Sequence, residues 1–513
     1  MADSGMTDSG TADSGTADAG VPEALLALGD LAVPTGLFID GGWRAASTGD
    51  TIDVIDPATE AVIARVPDAS ADDVAAALAN AASTFPLWRG TGAWERSAVL
   101  RRMANIIRDD IDRFAAVMTA ELSKPLAQSR AEVLSAADQF DWYADEARRI
   151  YGRTVDGHHT DMRIIVKREP VGPVAAFAPW NFPSLLPARK IAAALAAGCS
   201  IIVMPAIEAP LSGLLLAETA QRAGLPAGVL SMLTGEPPRI STQLIDSPVI
   251  KKITLTGSVP VGIAMNVQAA KTLKHVSMEL GGHAPVIVFP DADIDAAARA
   301  AALGKYRNSG QVCIAASRFI VHESVADEFT ASFIDQTQML RVGPGTDPQA
   351  DMGPLGSAKR LAAIEGLVAD AVSKGATVAH GGARMDEFQA GFFFAPTVLT
   401  NVTGDMAVMT EEPFGPIAPI TTFATFDEAI AAANSTAYGL AGFVYTRDLA
   451  LAYRASEALE TGMVGVNHLT IATAEAPFGG VKYSGFGREG GTEGIEAYTQ
   501  VKYINMLLPE NPL

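Results

Sequence analysis

From Val171 the chain alternates short apolar runs with segments of helical length, and this constrains its fold more than any other feature. VGPVAAFAP is followed by SLLPARKIAAALAAG, then by SIIVMP, LSGLLLAETAQRAG, VLSML and KKITLTGS. Short runs without a polar side are strands buried on both faces. When each is followed by a helix, the result is a series of βαβ units and a parallel sheet. A second series of the same kind starts with VSMELGGHAPVIVF and runs to about Val466. From about Ala71 to Ile150 the pattern is Ala-rich and helical, with charges recurring on one face. MRIIVKREP then alternates like the exposed strand of a hairpin, and the closing EAYTQVKYINMLL again reads as a strand. The expected fold class is α/β, with two doubly wound domains and a β-hairpin arm. The arm and the last strand are suited to pairing between subunits, so a homodimer or homotetramer is expected.

With 513 residues, two or three domains are needed. A net charge of -20 disfavours phosphate backbones and anionic lipid, so no nucleic acid or membrane partner is expected. IAAALAAGCSIIVMPAI (Ile191 to Ile207) is uncharged but short for a membrane span, and Gly198 and Pro205 break it; a buried helix followed by a buried strand explains it. The first twenty residues, MADSGMTDSGTADSGTADAG, are a degenerate repeat of Asp, Ser, Gly, Thr and Ala with no basic or apolar block, within a tail of residues 1–30. They read as a disordered acidic tail rather than a signal peptide. Two cysteines, Cys199 and Cys313, cannot form a disulfide framework, which points to a reducing cytoplasm. The seven histidines show no metal-ligand spacing, and no metal site is expected.

Three side chains could carry chemistry, and each has a plain alternative. Cys313 lies in NSGQVCIAAS, in a loop between a helix and a strand, where a nucleophile is at home, but an isolated cysteine is more often a buried filler. Cys199, inside ALAAGCSIIV, fits the filler description. Glu279 in SMELGG ends an apolar strand before a Gly281-Gly282 turn. There a carboxylate with raised proton affinity can act as base on water, or simply face solvent. Asn181 in APWNFP can donate to a developing oxyanion or cap the next helix. LTGSVPVG places Gly257, Ser258 and Gly262 where a strand leaves for a helix, a geometry for a pyrophosphate or for close helix packing.

Together, PWNFP, TGSVPVG, MELGG, GQVC, EEPFGP and PFGGVKYSGFGREGG resemble the NAD(P)-dependent aldehyde dehydrogenase superfamily in order and spacing, over nearly the whole chain after residue 35. The resemblance implies that Cys313 is the nucleophile, that Asn181 with the Cys313 N–H holds the oxyanion, that Glu279 activates water and that Lys190 lies near the asparagine. It also implies a cofactor held by Pro179, Trp180, Gly257, Ser258, Gly262, Glu279, Leu280, Gly281, Glu412 and Phe414. On the same basis residues 31–150 and 171–281 form a Rossmann-like cofactor-binding domain and 282–497 the catalytic domain. Residues 151–170 and 498–509 then form the arm.

One departure concerns the cofactor. In VMPAIEAP, Met204 and Ile207 stand where relatives carry a lysine and often a glutamate for the adenosine ribose or a 2′-phosphate, so NAD is expected over NADP. The same departure leaves open a cofactor-independent thiol esterase, or a non-catalytic relative. Arg189 and Arg307 sit where succinate-semialdehyde dehydrogenases carry two arginines for the substrate carboxylate. The closing stretch with Thr473 is similar to that subgroup. The implied substrate is a small carboxylate-bearing aldehyde.

Overall fold

The structure is a computed structural model that describes residues 31–508. The acidic tail and the last residue of the expected arm lie outside the described residues.

Its larger sheet has eight strands, in the order Gly485–Phe486, His275–Glu279, Lys252–Thr256, Val174–Phe177, Ile201–Met204, Leu230–Met232, Leu37–Ile39 and Gly42–Arg44. The five from His275–Glu279 to Leu230–Met232 are parallel, and antiparallel strands close both edges. Chain order runs outward from Val174–Phe177 in both directions. The strand order therefore reverses between it and Lys252–Thr256, and a crevice opens beyond their carboxyl ends. PWN and GS, the two turns singled out in the sequence, leave the sheet at that point.

The second sheet has seven strands: Thr377–His380, Thr397–Thr400, Ile417–Phe423, Ala316–His322, Ala284–Val288, Ala441–Tyr445 and Met463–Val466. All are parallel except the antiparallel first. The fold is thus two α/β layers, as the alternation of apolar runs predicts. A third sheet, Thr499–Leu507, Met162–Pro170 and Arg153–Asp156, is antiparallel and largely exposed. The expected hairpin therefore gains the chain's own last strand as a third member.

The sequence reading contained neither the opening strands Leu37–Ile39 and Gly42–Arg44 nor the two-residue strand Gly485–Phe486. They are too short to show a period. The uncharged stretch from Ile191 is the end of the buried helix Leu185–Ala197, followed by the strand Ile201–Met204. Gly198 stops that helix in the left-handed region at φ 93°. Among the described residues no helix is long and apolar enough to cross a membrane.

Leu280, Gly281, Gly282 and His283 carry the chain from the carboxyl edge of the first sheet to the start of the second. The two sheets therefore meet at this short passage, and Gly485 seals its flank. Gly485 has φ 106°, and a Cβ there would lie 1.9 Å from Met278 O. Gly485→Ala should lower the apparent melting temperature, in line with a loss of about 1–3 kcal/mol. An unchanged melting curve would mean that this edge is looser than described.

Candidate active site

The loop that carries Cys313 is bent before it starts. Helix Ile294–Tyr306, capped by the Asp293 side chain, stops at Arg307. Asn308, Ser309 and Gly310 then run through the left-handed region, at φ 49°, 56° and 72°. Such a run needs support, and each residue has it. Gln128 Oε1 accepts from the Asn308 N–H at 2.8 Å, and Ser309 Oγ donates to Gly353 O at 2.7 Å. Gly310 packs so closely that a Cβ would lie 2.2 Å from Gly415 O.

Cys313 lines a cavity of about 280 Å³ together with Arg189, Arg307, Asn308, Phe182, Lys124 and Phe478. Water can reach the sulfur from the cavity, yet most of its surroundings are protein. Burial, and then the Glu412 carboxylate, push the thiol up to about 12. The Cys313 N–H lies against its own sulfur. Cys199, by contrast, is fully buried within the first core and donates to Tyr498 O at 3.5 Å, as the filler reading has it.

Asn181 is buried and held from two sides. Its Nδ2 donates to Gln311 O at 3.0 Å, two residues before the thiol, while Oδ1 has no partner. Its backbone oxygen accepts from Lys124 Nζ at 2.8 Å and from Asn308 Nδ2 at 2.9 Å. Lys124 in turn pairs with Glu132 at 2.5 Å, both side chains being almost fully buried. The other Glu132 oxygen accepts from the N–H groups of Ser184 and Leu185, so this carboxylate also caps helix Leu185–Ala197. Asn181 itself caps nothing, which removes its plain reading.

Glu279 ends its strand buried, with both carboxyl oxygens unpartnered. Burial, then the charge of Glu489, hold its carboxyl well above the usual carboxylate range. Glu489 pairs with Lys190 at 2.5 Å, and Lys190 also donates to Thr256 Oγ1 at 2.8 Å. The motif PFGGVKYSGFGREGG folds back on itself through Phe478 and Glu489, whose N–H groups each bond the other's carbonyl. Its two ends then serve neighbouring residues of one helix. The Phe478 ring lies 4.3 Å from the Arg189 guanidinium, and Glu489 neutralises Lys190.

Arg189 is buried and its Nε has no partner. Arg307 is exposed to the cavity, and the ring of Phe182 lies 5.7 Å from its guanidinium. Thr473 lies elsewhere, on an outer cleft that shares Ser135 and Ala472 with the inner cavity.

The residues expected to hold a dinucleotide gather beyond the switch point. Ser258 is exposed at the N-cap of helix Val259–Ala270 with no side-chain cap, leaving that helix end open to an anion. Gly262 lets the helix close on Leu280, where a Cβ would lie 2.5 Å from Cδ2. Glu412 Oε1 accepts from the Gly282 N–H at 3.1 Å, and a Cβ on Gly281 would lie 2.3 Å from Oε2. Burial raises the Glu412 carboxyl to about 7. Trp180 meets Phe414 edge to face at 5.7 Å, while Pro179 is half-buried beside it. An open helix end, a glycine cradle, a carboxylate and an aromatic pair fit a nicotinamide dinucleotide. Met204 is buried in the apolar core with Phe177 and Leu255, so it offers that ligand nothing. Among the described residues no cluster of His, Cys, Asp and Glu is placed to hold a metal ion.

Lys124, Glu132 and Glu489 carry much of this arrangement and were not picked out from the sequence. Lys124 and Glu132 sit in the Ala-rich helical region among surface charges, and nothing local marks them as buried. Glu489 lies inside a quoted motif, which was the one available signal.

The profile of the Aldehyde dehydrogenase family matches residues 43–504. Glutarate-semialdehyde dehydrogenase of Pseudomonas aeruginosa is 44% identical over 467 residues, 91% of this chain and 96% of that protein. Succinate-semialdehyde dehydrogenase (NADP(+)) GabD of Escherichia coli is 43% identical, over 91% of this chain and 96% of its own length. Among solved structures, succinate-semialdehyde dehydrogenase from Burkholderia pseudomallei superposes with a TM-score of 0.91 at 43% identity, over 93% of this chain and 98% of that one. Betaine aldehyde dehydrogenase from Staphylococcus aureus in complex with NAD+ does so at 34% identity and a TM-score of 0.91, over 94% and 96%.

In the cofactor-free protein, alkylation of Cys313 by iodoacetamide should rise with pH up to pH 10 without a plateau. Glu412→Gln should speed it, because removing a nearby negative charge lowers the thiol pKa. A plateau below pH 8 would show that the thiol is already activated.

Proposed function

The chain belongs to the aldehyde dehydrogenase family, and within it we propose an enzyme that oxidises the ω-semialdehyde of a short dicarboxylic acid, with NAD as hydride acceptor. The observation that carries this reading is the presence of Cys313, Arg189 and Arg307 on one cavity of about 280 Å³. Among the described residues Arg189 and Arg307 form no ion pair with a carboxylate, whereas Lys124 does. Two guanidinium groups with free donors suit a carboxylate supplied by the substrate. The relatives above are all dehydrogenases, which disfavours a cofactor-independent esterase.

Catalysis starts from a neutral thiol. The sulfur adds to the aldehyde carbon, the carbonyl pair moves onto oxygen, and the thiol proton leaves to solvent in the cavity. Asn181 Nδ2 has a second N–H beyond the one given to Gln311, and with the Cys313 N–H it stabilises that oxygen. Lys124 and Asn308 keep the asparagine in place by holding its backbone oxygen. Ser258, Glu412 and Phe414 would hold the dinucleotide, which when bound supplies the hydride acceptor that converts the thiohemiacetal to a thioester. Glu279, its proton affinity raised by burial and by Glu489, takes a proton from water as the hydroxide adds to the thioester. The Cys313 thiolate then departs and the acid is free.

NAD is preferred over NADP on two grounds. No lysine stands at position 204, and the Glu208 carboxylate is exposed beside that strand end. A 2′-phosphate there would meet the Glu208 carboxylate in place of a lysine at position 204, and the Lys359 charge felt at that carboxylate offsets it only in part.

The purified protein should reduce NAD with succinate or glutarate semialdehyde. Arg307→Ala should cut kcat/KM for these acids by about 10- to 100-fold, the worth of a charge-assisted hydrogen bond, while sparing uncharged aldehydes. No turnover of any semialdehyde acid with either nucleotide would overturn the reading. So would equal losses for charged and uncharged substrates.

We also propose self-association through helix Val259–Ala270. Val261, Ile263 and Val267 are exposed on it, and Leu273 just beyond is 92% exposed. Such an apolar patch is expensive to leave in water, and the exposed strand Thr499–Leu507 offers a further edge. Val267→Asp combined with Leu273→Asp should shift sedimentation toward the monomer mass; an unchanged profile would place the interface elsewhere.

A further inference from the structure

Arg360 belongs to no motif singled out in the sequence, yet the Glu412–Phe414 turn rests on it. The residue lies in the first turn of helix Ala358–Ser373, whose N-cap Ser357 accepts from the Arg360 N–H. Its Nη2 donates to two successive carbonyls, Pro413 O at 2.5 Å and Phe414 O at 3.3 Å. The guanidinium also sits 5.5 Å from the centre of the Phe414 ring. Phe414 is held at φ 46°, a conformation that a side chain of this kind rarely adopts. The ring also meets Trp180 edge to face. Among the described residues Arg360 forms no ion pair with a carboxylate, and its buried Nε has no partner. Burial lowers its pKa from the usual arginine value and the Glu412 charge opposes that, so the cation and the carboxylate feel one another across the turn.

We propose that Arg360 is a positioning residue for the nicotinamide end of the cofactor. It keeps Phe414 in its left-handed conformation, so that ring and Glu412 carboxylate face the crevice in fixed register. This rests on the reading of Glu412 and Phe414 as the nicotinamide seat. Beyond Phe414, Gly415 is supported separately: a Cβ there would lie 2.3 Å from Ile364 Cδ1, and Gly415 O closes on Gly310. The Cys313 loop therefore keeps its own support when the guanidinium is removed, and the two effects can be told apart.

Two variants test the role. Arg360→Met keeps the aliphatic packing without donors, and Arg360→Lys restores one donor group. NAD+ affinity is measured by calorimetry, and the iodoacetamide alkylation rate of Cys313 is measured without cofactor. Arg360→Met should weaken NAD+ binding by about tenfold or more, Arg360→Lys should regain part of that loss, and alkylation should stay within about twofold of the parent. Binding by Arg360→Met within about twofold of the parent would overturn the proposal, as would a tenfold change in alkylation, which would mark a general structural role. Calorimetry needs no aldehyde, so the result stands even if the parent oxidises no semialdehyde.

Discussion

The absence of two side chains, at Gly281 and Gly282, is the constraint on which the site depends. Here the chain leaves one sheet for the other, and three separate segments converge on it. A Cβ on Gly281 would fall 2.3 Å from Glu412 Oε2, and one on Gly282 would fall 2.5 Å from Cys313 O. With side chains in either place, the carboxylate or the nucleophile loop would have to move away. Glu279, two residues before Gly281, would then shift relative to the Cys313 thiol that feels its charge. Backbone approach of this kind is available only to glycine, and it brings Glu279, the Cys313 loop and the Glu412 carboxylate together.

Two buried ion pairs hold the pieces that the glycines admit. Burying a charge is costly unless it is paired and hydrogen-bonded, and removing one partner costs about 3–5 kcal/mol. Lys124–Glu132 is almost completely satisfied. Lysine bonds the carbonyl of Asn181, and glutamate caps the helix that follows it. Lys190–Glu489 is less complete, since Glu489 Oε2 has no partner. The remaining negative charge is felt by Glu279 and raises its proton affinity. One pair thus fixes geometry, and the other also sets protonation. Arg189 and Arg307 line the cavity beside Cys313 and add positive charge to its wall.

The amino-acid sequence by itself determined the layers and pointed to the candidate residues. Strands buried on both faces have no polar period, and that pattern is visible without coordinates, as is the order of short motifs along the chain. Cys313, Asn181 and Glu279 stood out because each lies in or next to a connection that contains glycine or proline, where local geometry is restricted. The choice between nucleophile and filler, or oxyanion donor and helix cap, was not legible locally. It depends on partners more than a hundred residues away in sequence, such as Gln311 for Asn181 and Glu489 for Lys190. Lys124, Glu132 and Arg360 look like ordinary helix charges until the tertiary structure buries or aims them. Burial and direction are properties of the packed chain, set by which helix faces meet, and no window of sequence contains them.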